Sequence, residues 1–190
     1  MTVAENETYE VDNPIFKSFR VYAGSKLLAN KASWDFLANE KPQFDLVTLH
    51  PSMVYGTSLV QDSAAASGTN GYIFGSIVSG ATDFDALLVS VHVKNVAEAH
   101  VRALEDDIKN RSYLLSGKWT SWKELKEWSE KYYPEEAKGF KIVAKTDLKI
   151  PKTDASRAEK ELGISWTEPE VMIKEVLDQQ IAFLKKEGKL

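Results

Sequence analysis

The apolar positions of this chain recur with two periods, and the period changes along its length. From Val21 to about Asn39, Leu27, Leu28, Trp34, Phe36 and Leu37 return at steps of a helical turn, which predicts a helix. Pro14 to Phe19 reads as a short apolar bridge into it. Lys41-Pro42-Gln43 ends the helix, because proline cannot continue one. Phe44–Leu49 is short and rich in apolar residues, the pattern of a parallel strand covered on both faces, and Pro51 closes it. Residues 57–71 are dominated by Ser, Ala, Gly, Thr and Asn and read as loop. Tyr72 to Val78 is expected to be helical, Ala86–Val91 a second strand, and Lys94 to Ile108 a helix with Val96, Ala97, His100, Val101 and Leu104 on one side. Ser112–Leu115 reads as a third strand.

Ser121 and Glu124 have capping-box spacing, predicting a helix that runs to about Tyr133 and stops at Pro134. Lys141–Ala144 is read as a further strand. Asp154 is placed to cap a helix that ends at Gly163. The last helix, about Pro169 to Glu187, carries the stripe Ile173, Val176, Leu177, Ile181 and Leu184, which needs a surface to cover. Its closing lysines, Lys185, Lys186 and Lys189, suit the negative end of a helix better than a binding patch. Strands alternate with helices, so the fold class is α/β. Residues 1–13 hold four acids and little apolar content and read as a flexible arm; 14–110 and 111–190 follow as two further divisions, the latter mostly helical.

Composition narrows the function. Of 190 residues, 43% are hydrophobic and 27% charged, ordinary for a soluble globular protein. The net charge of −4 and the absence of a basic stripe argue against nucleic acid as a partner. There is no cysteine, which excludes disulfides and thiolate chemistry and fits a cytoplasmic location. No apolar run approaches the roughly 20 residues of a membrane span. The three histidines, His50, His92 and His100, have no carboxylate at ligand spacing within a shared helix, so no metal is expected; His50 reads as a structural histidine.

The chemistry-bearing feature is Tyr22-Ala23-Gly24-Ser25-Lys26. Residues four apart share one helix face. An ammonium near a phenol favours the phenolate, bringing a proton donor with an ordinary pKa of about 10 closer to working pH. Such a pair can protonate a carbonyl oxygen while hydride reaches the carbon. The bare spacing is common by chance, and its bland reading is a solvated pair on a helix surface.

Context changes that balance. Tyr22–Lys26 resembles the active-site helix of extended short-chain dehydrogenases/reductases, closest to the dihydroflavonol-reductase-like branch that includes methylglyoxal and isovaleraldehyde reductases. Leu49-His50-Pro51-Ser52-Met53-Val54-Tyr55-Gly56 is similar to the family's Asn-Pro-x-x-Val-x-Gly segment. Val91 to His100 is similar to its Val-Asp-Val-Arg-Asp-Val-Ala-x-Ala-His, and Asp154 to Gly163 to its Asp-x-Ser-Lys…Leu-Gly helix. The resemblance implies a partial Rossmann-type parallel sheet plus a small C-terminal substrate-binding region. It implies an oxidoreductase that uses NADPH to reduce small aldehydes or ketones. It makes Tyr22 the proton donor, Lys26 its electrostatic partner and ribose ligand, and the backbone at Pro51, Ser52, Met53 and Val54 the lining of the nicotinamide. It also implies a possible homodimer. For Pro51 alone, plain strand termination is an equal explanation, and for Val96, Ala97 and His100 core packing is preferred.

Departures from the pattern accompany the match. His50 stands where asparagine is usual, and His92, Lys94 and Asn95 replace Asp, Arg and Asp; Asn95 is expected to take over the helix cap. No Gly-x-x-Gly-x-x-Gly follows a strand, and Gly68, Gly71, Gly75 and Gly80 have other spacings. A helix N-terminus after such a turn is what holds pyrophosphate. The family's catalytic serine precedes its tyrosine by more residues than this chain supplies; neither Ser18 nor Ser25 can replace it. The expectation is a C-terminal portion lacking the glycine-rich N-terminal half. The alternative is a truncated, non-catalytic remnant or interaction module that binds no cofactor. A generic α/β binding domain needs four chance matches.

Overall fold

A computed structural model describes residues 14–150 and 152–190; the expected arm at 1–13 lies outside them. The chain forms two compact units, one ending at Leu46 and one spanning Val47–Leu190. The first is built on α1, Pro14–Glu40, a helix of 27 residues. It starts at Pro14, so the expected apolar bridge is helical. Proline is well placed there, since a first-turn residue needs no backbone donor and its fixed φ suits a helix. Lys41, at φ 45°, turns the chain out of the helix.

The second unit holds four short parallel strands in two pairs. The first, β1, is Val47–Pro51 and β2 is Met53–Tyr55; β3 is Ser90–His92 and β4 is Arg111–Leu115. Strand β1 pairs with β4, Thr48 facing Ser112, and β2 pairs with β3, Val54 facing Val91. The chain changes partner at Ser52: its amide donates to Leu115 O (2.9 Å), and the next amide, Met53, donates to Val89 O (3.1 Å). The strand therefore starts three residues later than expected and includes Pro51. Both of its faces are half-buried. Val47 and Leu49 pack on a core of Val91, Tyr113, Leu115, Ala158, Leu162 and Ile164. Thr48 instead bonds Ser112 (2.6 Å) and His50 (3.1 Å) through their side chains.

Three further expectations shift. Helix α2, Gly68–Ser79, begins four residues early, and Gly80 stops it at φ 79°; a side chain there would meet Lys141 O at 2.5 Å. Asp85–Leu88 is a 3-10 turn rather than strand, because buried Asp85 is gripped from three directions. Trp122 Nε1 donates to it (3.1 Å), Lys145 Nζ donates to both oxygens (2.9 and 3.0 Å), and Lys149 N donates to Oδ2 (2.8 Å). The same anchors hold 141–149 as an irregular segment where a strand was expected at Lys141–Ala144.

Helix α3, Val93–Arg102, is shorter than predicted and turns a different face inward. Asn95 and Ala99 are buried, while Ala97, His100, Val101 and Leu104 are exposed. The capping serine is as expected: in α4, Trp122–Tyr132, Ser121 Oγ accepts from Glu124 N at 3.2 Å. Glu124 returns to side chains, accepting from Ser121 Oγ (2.7 Å) and Thr120 Oγ1 (3.1 Å). Helix α5, Ser156–Glu161, is preceded by Asp154, which accepts from Ser156 N (3.0 Å), and is followed by Gly163 at φ 65°. Helix α6, Pro169–Lys186, buries Ile173, Val176, Leu177 and Ile181 as predicted. They pack with Tyr55, Ile73, Leu88, Trp122 and Leu125 into the larger core.

Candidate functional site

Tyr22 and Lys26 both project from α1 into solvent; Tyr22 is 57% exposed. Helical geometry brings them together: Lys26 Nζ lies over the Tyr22 ring, 5.5 Å from its centroid. Ser25 Oγ is spent on the helix, donating to Tyr22 O at 2.7 Å. An apolar groove lined by Ala32, Ser33, Phe36, Leu37, Phe44 and Leu46 lies further along the same unit, and neither Tyr22 nor Lys26 lines it.

Three buried or half-buried phenols, Tyr55, Tyr113 and Tyr133, are poorly suited to proton transfer near neutral pH. Tyr55 is buried and donates to Leu87 O (2.8 Å), and burial pushes its pKa far up. Tyr113 is pushed up to about 12 by burial and by its hydrogen bond to Glu161. Tyr133 is raised by burial and by donating to Asp178 (2.6 Å).

In the second unit, Pro51, Ser52, Met53 and Val54 sit where the strand exchanges β4 for β3. Open parallel sheets bind ligands beyond the carboxyl ends of their strands, and β2 ends at Tyr55, one residue after Val54. The Ser52 hydroxyl is buried there with no partner among the described residues. Burying a hydroxyl unpaired is costly, so the group has unused capacity for a hydrogen bond. Strand β2 was not expected from the sequence; it puts Met53 and Val54 into a ladder whose carboxyl end leads through Gly56 to the loop at 57–67.

The carboxyl ends of β2 and β3 meet α6 through a carboxylate. Glu175 Oε2 accepts from Thr57 N (3.1 Å), Thr57 Oγ1 (3.2 Å) and His92 Nε2 (3.1 Å), and Lys94 Nζ lies 3.6 Å from Oε1. Burial alone raises its pKa, but the amide of Thr57, His92 and Lys94 outweigh that and hold it below the ordinary value. Gly56, at φ 136°, is pressed against this pair: a Cβ would lie 2.8 Å from Val93 Cγ1 and 3.1 Å from His92 Nε2.

His92, not Asn95, caps α3, its Nδ1 accepting from Lys94 N at 3.1 Å. Asn95 instead staples the chain after α5: Nδ2 donates to Ser165 O (3.0 Å) and Oδ1 accepts from Thr167 N (2.9 Å). Sequence reading missed this role because the partners lie 70 and 72 residues away. His50 is half-buried, and burial lowers its pKa. Among the described residues no group of three His, Cys, Asp or Glu could hold a metal, and no helix is long and apolar enough to cross a membrane.

No family model matches the chain. It is 39% identical over 186 residues to a ketoreductase of Aspergillus fumigatus, covering 95% of this chain and 55% of that protein. In structure it matches Gre2 of Candida albicans, solved in complex with NADPH, with a TM-score of 0.71 and 26% identity over 90% of this chain and 53% of that one. Yeast methylglyoxal/isovaleraldehyde reductase Gre2, complexed with NADPH, shares the fold at a TM-score of 0.73 and 22% identity, covering 97% of this chain and 56% of that one. The chain thus spans about half the length of the relatives it matches. By sequence and by its Rossmann-type fold, it is related to the extended short-chain dehydrogenases/reductases.

Proposed function

We propose that the chain serves the NADPH-dependent reduction of small aldehydes or ketones to alcohols. The observation that carries this reading is the ammonium of Lys26 held over the Tyr22 ring on a solvent-facing helix surface. In this reading Tyr22 gives the proton to the carbonyl oxygen. Lys26 stabilises the phenolate left behind and hydrogen-bonds the ribose. Pro51, Ser52, Met53 and Val54 line the nicotinamide. The unpartnered Ser52 hydroxyl fits a polar cofactor group such as a carboxamide. NADPH, when bound, supplies the hydride. The largely helical part from residue 111 onward is assigned to the substrate side, and the protein to the cytoplasm. Exposed Val21, Leu28 and Phe36 on α1 support a homodimer, checked by sedimentation at increasing concentration.

Calorimetric titration with NADPH tests the reading. Micromolar binding, and carbonyl-dependent NADPH oxidation that Tyr22→Phe abolishes with an unchanged circular dichroism spectrum, are the expected results. Turnover surviving in Tyr22→Phe refutes the assigned acid. A second reading, a non-catalytic interaction module, is favoured by the solvent exposure of the Tyr22–Lys26 pair, the ordinary state of such a pair on a helix surface. It expects no heat with NADPH.

A further inference from the structure

Strand β3 ends on a histidine with both ring nitrogens in use. His92 is 2% exposed. Its Nδ1 accepts from Lys94 N at 3.1 Å, which caps α3, and its Nε2 lies 3.1 Å from Glu175 Oε2 on α6. A nitrogen that accepts carries no proton, so the proton of the neutral ring sits on Nε2 and is donated to Glu175. The other two histidines are held differently. His100 is exposed, with Nδ1 2.7 Å from Val96 O of its own helix, and His50 is half-buried, with Nε2 3.1 Å from Thr48 Oγ1.

The groups around His92 treat the two nitrogens unequally. From α6, the Glu175 carboxylate faces Nε2. From the first turn of α3, Lys94 Nζ lies 3.6 Å from the other oxygen of that carboxylate. From β2, Tyr55 stands opposite His92 in the register and sends its hydroxyl to Leu87 O. Beyond β2, the amide and hydroxyl of Thr57 donate to Glu175 Oε2. An imidazole changes charge between about pH 5 and 8. A second ring proton would strengthen the bond to Glu175, because a hydrogen bond between two ionised partners is the stronger kind. At Nδ1 the same proton would set a donor against the Lys94 N–H, and the cap would be lost. Val93, the first residue of α3, carries the change to β2, since its Cγ1 lies 2.8 Å from where a Cβ on Gly56 would be.

We propose that His92 is a proton-operated cap: a proton gained at Nδ1 releases the first turn of α3 and leaves β3 tied to α6 through Glu175. The device needs no ligand and stands apart from the reductase reading. Its sign follows from the geometry. The cap needs a bare Nδ1, so it is present on the alkaline side of the His92 titration and is lost as pH falls through it.

Proton–nitrogen NMR of the isotope-labelled full chain, titrated from about pH 8 to about pH 5, tests this. Long-range imidazole correlations should show Nδ1 bare and Nε2 protonated at the alkaline end. As Nδ1 gains its proton, protection of the Lys94 amide, corrected for intrinsic exchange, should fall about fivefold or more, the loss of one helix cap. The Thr57 amide should keep its protection. His92→Asn supplies a capping oxygen that does not titrate, so Lys94 protection should then be independent of pH. His100→Gln should leave the response unchanged. A proton on Nδ1 at the alkaline end overturns the proposal, as does a ring that stays neutral throughout. So does a Lys94 amide that stays protected after the ring is protonated, or that still responds in His92→Asn or ceases to respond in His100→Gln. Loss of Thr57 protection together with that of Lys94 overturns the retained tie to α6. Should His92→Asn fail to fold, the wild-type titration decides by itself.

Discussion

The stretch that carries Tyr22 and Lys26 and the stretch that carries the core meet water in opposite ways. From Phe19 to Val54 no described residue is fully buried, although α1 is apolar on several sides. From Tyr55 onward, aromatic and aliphatic side chains close into two buried clusters. The difference separates two duties. Tyr22, the proposed proton donor, stays accessible and adds little to stability, whereas Trp122, Leu125, Tyr113 and α6 supply stability and carry none of the proposed chemistry. Substitutions should therefore divide sharply by region.

The largest effect is expected at Trp122, which is fully buried and donates to Asp85. Trp122→Ala should cost about 3–5 kcal/mol, from lost burial and an incompletely filled cavity. Urea unfolding monitored by far-ultraviolet circular dichroism measures this. A loss comparable to that of a surface substitution would erase the distinction between the regions.

Asp85→Ala should follow closely. It strands the Lys145 ammonium and the Trp122 N–H at a site where Asp85 itself is buried, and breaking such a pair typically costs about 3–5 kcal/mol. Asp85 also sets a pH dependence. Burial pushes its carboxyl up, but the Lys149 amide, Lys145 and Trp122 outweigh burial and leave it below the ordinary value of 3.8. A depressed folded pKa means stability that is present above 3.8 and lost as pH falls through the folded value. The gap in unfolding midpoint between wild type and Asp85→Asn should hold from neutral pH to about that value and narrow below it. A gap that widens on acidification contradicts the assignment.

Asn95→Ala should cost less, about 1–3 kcal/mol, because it leaves Ser165 O and Thr167 N without their side-chain partner. The loss should show as faster amide exchange between α5 and α6. Unchanged exchange there would assign the stapling role elsewhere.

What could be read from the sequence was decided within one or two turns of chain. Ser121 with Glu124, Gly163 after α5, the stripe of α6 and the Tyr22–Lys26 spacing each depend on neighbours in sequence. Long-range partners decided the rest. Ala86–Val91 has a strand's composition, yet Asp85 is held by residues 37 to 64 positions away, and a 3-10 turn results. Lys141–Ala144 failed as a strand for the same reason. His92 took the cap expected of Asn95 because Asn95 was drawn to Ser165 and Thr167. At the candidate site, the spacing announced the phenol and ammonium. The idle hydroxyl of Ser52 could not be foreseen, because it depends on which strands flank the partner switch. Nor could the bond of His92 to Glu175, which lies 83 residues away.

The smallest effects belong to α1. Leu28 is 68% exposed and Phe36 is 50% exposed. Had α1 been a core helix, removing either side chain would cost about 2–5 kcal/mol. With that exposure the expected change is within about 0.5 kcal/mol for Leu28→Ala and little more for Phe36→Ala, as for ordinary surface substitutions. Alanine also has the better helix propensity, which offsets part of the lost contact. Thermal melts at low protein concentration make the measurement, since association could hide or mimic the effect. If Leu28→Ala alone lowers stability by more than about 2 kcal/mol at the lowest concentration, then α1 is covered within the monomer. The accessible Tyr22 face would then have to be redrawn, and the separation of chemistry from stability would fail with it.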